Sequence, residues 1–322
     1  MRAIRVKKMD SGFMRRATIF IIFIALVAIL SILSPKFLTW SNINNVLRQV
    51  TLVIITGCGA TLLMIAGKMD LSVGSVQAFA GVFLAYLVSN GVGLGLSIGI
   101  VLLLGLAIGI INGLFVVVGK LTPVIATMGT MYMVRGITYI MCNGNTIHNN
   151  IPPSYSWLGT ASIGGWLSVQ ILILIVLVVL FIFVEKKTLL GKYSFAIGGN
   201  RTAAQLSGIN VGRIELALFA ITSLLATLAG IILSSRLGVG QPNVGEGFEF
   251  DVIVAVVLGG TSLNGGEGSV LGMVIGALIV GFLGNGLNLL DVQTFYQEVF
   301  KGAILVAAVL ADNAIKRRMA RN

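Results

Sequence analysis

Few side chains in this sequence are able to do chemistry, and most of those stand beside or inside long apolar runs. Asp70, Ser72 and Gln77 open a stretch, Leu71 to Gly119, that carries no charged residue over 49 positions. Ionisable groups near a membrane interior mark solute or ion pathways by default. An acid followed by a hydroxyl and a carboxamide would offer hydrogen bonds to a polar solute. A plainer reading stands beside it: Asp70 would cap a helix beginning at Leu71 by accepting a backbone N–H. Glu298 and Lys301 are three apart and share a helix face, which favours a self-neutralising pair over a proton relay. Arg135 sits inside an apolar run, where snorkelling or a backbone carbonyl partner accounts for it.

Enzyme chemistry finds no support. GxxxxGK[ST] is absent, and the Gly-rich GGTSLNGGEGS at 259–269 has no Lys and opens onto an apolar helix, unlike a phosphate cradle. There is no nucleophile elbow and no metal-ligand spacing, and the single His148 falls in a polar loop. Cys58 and Cys142 both lie in apolar runs and read as small buried hydrophobes. The expectation is a non-catalytic chain that binds no cofactor or metal of its own.

The elements that must position these residues are membrane helices. A helix of 49 residues would reach roughly 74 Å, against an apolar bilayer slab about 30 Å thick. The segment must cross, turn at Ser89-Asn90-Gly91-Val92-Gly93 and cross back. The 322 residues are 57% hydrophobic and 10% charged, with a mean hydropathy of +1.00; a soluble domain carries about 25% charge. Ten apolar segments are expected, at roughly 18–34, 46–66, 71–89, 94–118, 122–142, 167–184, 214–235, 250–260, 270–290 and 293–312. The predicted fold is therefore an all-α polytopic membrane protein of about ten transmembrane helices, some short or broken. One membrane domain (18–312) would lie between basic tails (1–17 and 313–322). The first apolar run is long and lacks a clear small-x-small cleavage site, so it reads as a retained span.

Charge sets the orientation. An even number of spans puts both termini on one side, and 17 of the 22 Lys and Arg then fall in the tails or in loops on that side. The positive-inside rule makes it the cytoplasmic side. The loop from Asn143 to Trp166 has no Lys or Arg and faces outward. The net charge of +11 belongs to blocks flanking spans, without interleaved aromatics. The bilayer is the partner it implies, and nucleic acid is not.

Two segments are abnormal. Asp251 to Gly260 is too short to span, and the run ending at Gly67 restarts at Leu71 after only Lys68, Met69 and Asp70. Short or interrupted segments point to broken helices along a transport path, or simply to segments cut too tightly. AGKMDLSVGSV (66–76) also lies over GGTSLNGGEGSV (259–270) with one gap, a faint hint of a repeat. Gly105, Gly109 and Gly113 share one helix face, as do Gly272 and Gly276; such spacing lets helices pack closely, within a subunit or between subunits.

The central basic loop (about 185–213) holds a candidate contact element. Asn200 is a good N-cap and Gly208 a good stop, and between them Arg201, Thr202, Ala203, Ala204, Gln205, Leu206 and Ser207 form about two helical turns. So short a helix is marginal in water and needs support. A groove on another protein would suit its small apolar face (Ala203, Ala204, Leu206); the lipid headgroups are the alternative.

These residues resemble a known family. LSPKFLTWSNINNVLRQ (33–49), GKMDLSVGS (67–75), LGKYSFAIGGNRTAAQLSGINV (190–211) and the long block LAGIILSSRLGVGQPNVGEGFEFDVIVAVVLGGTSLNGGEGSVLGMVIGALI (228–279) look like the corresponding segments of the ribose-type permease subunit of bacterial ABC importers for monosaccharides. The resemblance implies about ten helices and a place in the bacterial cytoplasmic (inner) membrane. It also implies three protein partners: a second permease subunit, a cytoplasmic ATP-binding subunit and an extracytoplasmic sugar-binding protein. ATP would be used by the separate subunit. The helix at 200–208 would be the coupling helix seated in the ATPase, and Arg236, Glu246 and Glu249 would be candidates for pairing with the binding protein. The family often has Gly before the Ile-Asp of its signature, where this chain has Lys68 and Met69. Lys68 would then neutralise Asp70. The rival reading is an ion-coupled secondary transporter using Asp70 or Glu298; a channel or scaffold is a third.

Overall fold

The computed structural model describes residues 11–164, 167–293, 295–304, 306, 307 and 310, with side chains from Ile19 onward. The expected carboxyl-terminal tail (313–322) lies outside the described residues, as do residues 1–10 of the amino-terminal one and Trp166.

The described chain is mostly helical. In order it forms α1 (Ser11–Leu33), α2 (Trp40–Ile65), α3 (Val73–Ser89), α4 (Leu94–Val117) and α5 (Pro123–Met141). A loop then carries a short 3-10 turn (Pro153–Ser156), α6 (Trp157–Thr160) and a hairpin of β1 (Ser162–Ile163) against β2 (Leu167–Ser168), antiparallel with Ser162 opposite Ser168. α7 (Val169–Lys187), α8 (Leu189–Gly199), α9 (Arg201–Leu206), α10 (Val211–Leu237), α11 (Phe248–Leu258) and α12 (Val270–Leu289) follow. Residues 295–304 are helical again. Nine of the ten expected apolar segments coincide with a helix, and within the tenth (293–312) the described stretch 295–304 is helical. Length and composition suffice for crossing a membrane in five of them among the described residues: α2, α4, α7, α10 and α12.

Local chemistry explains the breaks. Gly91 adopts φ +84° in the turn expected between α3 and α4, and Gly238 ends α10 at φ +71°, a conformation that costs glycine little. Pro123 opens α5 at its first position, where its missing N–H is not needed. α11, with 11 residues, would rise only about 16 Å, about half the apolar slab.

α10 is the central post, packed by α2, α3 and α4. The glycine face of α4 meets it directly and antiparallel. A Cβ on Gly105 would lie 1.8 Å from Thr227 Oγ1, one on Gly109 2.7 Å from Ala220 Cα, and one on Gly113 3.0 Å from Leu216 Cα. Ser223 Oγ closes the contact by donating to the Gly105 carbonyl at 2.7 Å. The tight packing expected from the glycine spacing is thus made inside the subunit. α3 runs parallel to α10, with Gln77 beside Gly230 and Gly81 beside Ser234. The outer faces of α4, α5 and α7 expose Leu103, Ile125, Ile140, Val176 and Val179, the kind of apolar exterior that lipid rather than water solvates. The chain is a multi-pass membrane protein.

The two abnormal segments turn out to be a matched pair of interruptions. Between α2 and α3, and again between α11 and α12, the helix stops, the backbone loops and a new helix starts. The two loops touch: Gly266 N donates to the Ile65 carbonyl at 2.8 Å. Gly67, Gly265 and Gly266 all take positive φ there, near +80°. The N-caps are Ser72 for α3 and Ser269 for α12. The sequence superposition pairs Ser269 with Ser75 instead, so it is offset by about one helical turn from the structural match.

Candidate functional site

The first site grows out of the α2–α3 loop. α3 begins at Val73 rather than Leu71, so Asp70 stands two residues before the N-cap and does not cap the first turn itself. Its Oδ1 accepts from Ser72 N at 2.8 Å and from Ser72 Oγ at 2.6 Å, fixing the residue from which α3 starts. Asn112 of α4 then donates to Asp70 Oδ2 at 3.3 Å and to Ser72 Oγ at 2.9 Å. Leu71 N donates to Thr127 Oγ1 of α5 at 3.1 Å. Asp70, Ser72 and Asn112 are all buried. A carboxylate this enclosed is tolerable only with hydrogen bonds to replace water, and three donor atoms supply them. Gln77 lies elsewhere: a Cβ on Gly245 would fall 2.9 Å from its Oε1, and its Nε2 is buried without a partner among the described residues.

Lys68 does not neutralise Asp70. Its Nζ lies 3.7 Å from Glu215 Oε1, near the start of α10. Glu215 is fully buried and also binds Arg201, with Nη1 2.9 Å from Oε1 and Nη2 3.2 Å from Oε2. One buried carboxylate therefore ties the α2–α3 loop to α9. Breaking a buried pair of this kind costs far more than a surface pair, because the remaining charge is left dry.

α9 has the boundaries its sequence predicts. Asn200 Oδ1 accepts from Ala203 N at 2.9 Å, and Gly208 leaves the helix at φ +83°. Its apolar face is divided: Ala204 is buried at 4% exposure, while Ala203 and Leu206 face outward, Leu206 at 86%. Arg201, Thr202, Gln205, Ser207 and Gly208 are exposed as well. α8, which leads into α9, sits on the junction of the two interrupting loops. A Cβ on Gly198 would lie 1.8 Å from the Ile65 carbonyl oxygen and 2.4 Å from Gly266 N. Nearby, Glu185 at the end of α7 accepts from Val270 N at 2.6 Å, placing an acid at the N-terminus of α12. The α7–α9 segment therefore grips the start of α12 directly and that of α3 through Glu215.

At the far end of the bundle the residues expected to meet a delivery protein are separated. Glu246 is exposed and accepts from Tyr139 Oη at 3.3 Å. Arg236 is half-buried and donates to the Arg48 carbonyl at 3.1 Å. Glu249 is 7% exposed and turned toward Gly74, where a Cβ would come 2.4 Å from its Oε2; it is not presented on that surface with Glu246. Arg135 finds the carbonyl partners its position called for, donating to Pro242 O at 2.7 Å and Val244 O at 2.8 Å. Glu298 pairs with Lys301 at 3.3 Å as the spacing predicts, but Lys301 also reaches Asp251 of α11 at 3.0 Å. Asn112, Glu215 and Asp251 are the polar partners that local reading missed. Each carried a signal, a polar group inside or at the edge of an apolar run, but none named its partner.

Comparison with known proteins fits this architecture. Residues 42–309 match the family model described as "Branched-chain amino acid transport system / permease component". A ribose import permease protein of Haemophilus influenzae is 42% identical over 91% of this chain and 92% of its own length. A probable ABC transporter permease protein of Escherichia coli is 39% identical over 99% of this chain and 96% of its own. The xylose transport system permease protein of E. coli is 36% identical over 88% and 87%. No solved structure matches the chain. The family match covers most of the sequence, from within α2 to beyond α12, so this chain belongs to the permease-component family of ABC transport systems.

Proposed function

We propose that this permease forms the transmembrane conduit of an ATP-driven importer for a monosaccharide. A separate cytoplasmic subunit hydrolyses the ATP, an extracytoplasmic binding protein delivers the sugar, and two permease subunits pair in the bilayer. In this reading the ten helical segments all cross or enter the membrane, and α9 and both termini face the cytoplasm. The family description names amino acids. What favours a sugar is that the ribose and xylose permeases are similar over nearly the whole chain.

The observation that carries the reading is α9. It is a capped, six-residue helix that leaves Leu206 in the open and is tied inward by Arg201 to a buried acid shared with the α2–α3 loop. Docked in a groove of the ATP-binding subunit, α9 would move with it. Gly198 would carry that motion to the Ile65–Gly266 junction, and Glu215 and Glu185 to the starts of α3 and α12. The permease then needs only two packings of similar energy, biased by nucleotide and by the loaded binding protein. Asp70 and Ser72 serve as the brace that makes the α3 start move as one piece, with Gln77 packed beside the 240–247 segment.

Reconstitution of the permease with its ATP-binding subunit and binding protein in proteoliposomes tests this. Uptake of radiolabelled D-ribose or D-xylose should require ATP and persist when ion gradients are collapsed. Gradient-driven uptake without ATP would replace the reading with that of a secondary transporter.

A further inference from the structure

A cavity of about 190 Å³ lies between α2, α11, α12 and the helical stretch at 295–304. Its polar lining is Gln49, Asp251, Asn285, Asn288, Gln297 and Lys301; Val50, Val53, Val280 and the backbone at Gly281 and Gly284 supply an apolar floor. α2 enters at the end of the bundle remote from α9, and α12 leaves there, so Gln49 and Asn288 lie toward that remote end.

The polar groups are partly pre-arranged. Asn285 and Asn42 exchange hydrogen bonds at 2.8 and 2.9 Å, which fixes the Asn285 amide. Gln297 Nε2 donates to Asn288 Oδ1 at 2.7 Å and to the Val292 carbonyl at 3.1 Å. On these two lining residues Asn288 Nδ2 is left as a donor and Gln297 Oε1 as an acceptor without a bond among the described residues, and the Gln49 carboxamide supplies one of each. Lys301 pairs with Asp251 at 3.0 Å and is shared with Glu298, which is not part of the lining, at 3.3 Å, so no cation stands free in the walls. Paired donors and acceptors, a lysine already engaged by two acids and an apolar floor match a neutral polyhydroxylated ring, whose hydroxyls donate and accept while its C–H face seeks apolar contact. A zwitterionic amino acid would have to break the Asp251–Lys301 pair to satisfy its own charges.

We infer that this cavity is the sugar-binding station of the permease, reached from the end of the bundle away from α9. The inference rests on the importer reading and adds the residues that touch the solute. It also separates them from Asp70, Ser72 and Asn112, which line no part of this cavity.

The test uses the assembled transporter in proteoliposomes, with tritiated D-ribose, D-xylose and L-leucine as probes. The double variant Gln49→Leu/Asn288→Leu should lower ATP-dependent uptake of the transported sugar at least tenfold. Uptake within twofold of wild type would overturn the site. A second arm does not depend on that variant folding. A Cβ on Gly284 meets nothing within 4 Å, so Gly284→Cys is accommodated, and the natural Cys58 and Cys142 are buried. Labelling of Gly284→Cys by a small thiol reagent should slow at least threefold when the sugar-loaded binding protein is added. Unchanged labelling would overturn the site even if uptake were normal. Wild-type uptake of L-leucine alone, or of neither sugar, would overturn the sugar reading itself.

Discussion

Two polar regions lie inside this apolar protein, and they are built oppositely. At the α2–α3 loop, Asp70, Ser72 and Asn112 are buried and bonded to one another, and Glu215 is enclosed by two cations. Between α2, α11 and α12, carboxamides and an ion pair border open space with bonding capacity to spare. The difference teaches that a buried acid in a membrane segment is not by itself a transport group. Where the carboxylate is already held by donors from its own fold, as Asp70 is by Ser72 and Asn112, the acid braces the backbone. Where donors and acceptors face a void, a solute has something to bind. In the proposed importer, the first region transmits force and the second handles cargo.

Substitutions that distinguish dense from open sites break or sharpen that comparison. The largest effect is expected for Glu215→Ala, which strands Lys68 and Arg201 at once. Removing one partner of a buried pair costs roughly 3–5 kcal/mol, toward the lower end here because Arg201 is partly exposed. Thermal unfolding of the purified permease should show it as a clearly lowered midpoint; an unchanged midpoint would remove Glu215 as the tie between α9 and the α2–α3 loop. Next is Gly198→Ala, whose new methyl collides with the Ile65 carbonyl and Gly266 N. Overpacking of this kind typically costs about 1–3 kcal/mol, and ATP-driven uptake should fall further than stability does. Asp70→Asn should cost only about 1 kcal/mol, because the amide oxygen still accepts from Ser72 while one oxygen toward Asn112 is lost. Abolished uptake at normal expression would instead put Asp70 in the solute path. The smallest change is expected for Gly284→Ala, which meets no atom within 4 Å and gains up to about 1 kcal/mol of helix propensity. Its unfolding midpoint should stay level or rise, the opposite sign to Gly198→Ala.

What could be read from the sequence follows the range of the physics involved. The membrane class came from one number, 49 uncharged positions, and each apolar segment duly holds a helix. α9 was legible because caps act over three residues: Asn200 onto Ala203, and Gly208 as a stop. The glycine face of α4 announced a close neighbour but not that the neighbour is α10. Partners distant in sequence were not legible at all. Lys68 passes over Asp70, two residues away, for Glu215, and Lys301 adds Asp251, 50 residues away, to the adjacent Glu298. Glu249 looks like a surface acid in the sequence, yet α11 turns it inward against Gly74. Such pairings are decided by which helices meet, and helix packing is set by the whole fold.

The central claim is that work enters this chain through α9, and Leu206→Asp tests it most directly. Leu206 is 86% exposed, so the substitution should leave the unfolding midpoint of the permease within about 0.5 kcal/mol of wild type. The account predicts that the ATP-binding subunit then no longer co-purifies and that ATP-driven sugar uptake disappears. Normal co-purification together with normal uptake would contradict it.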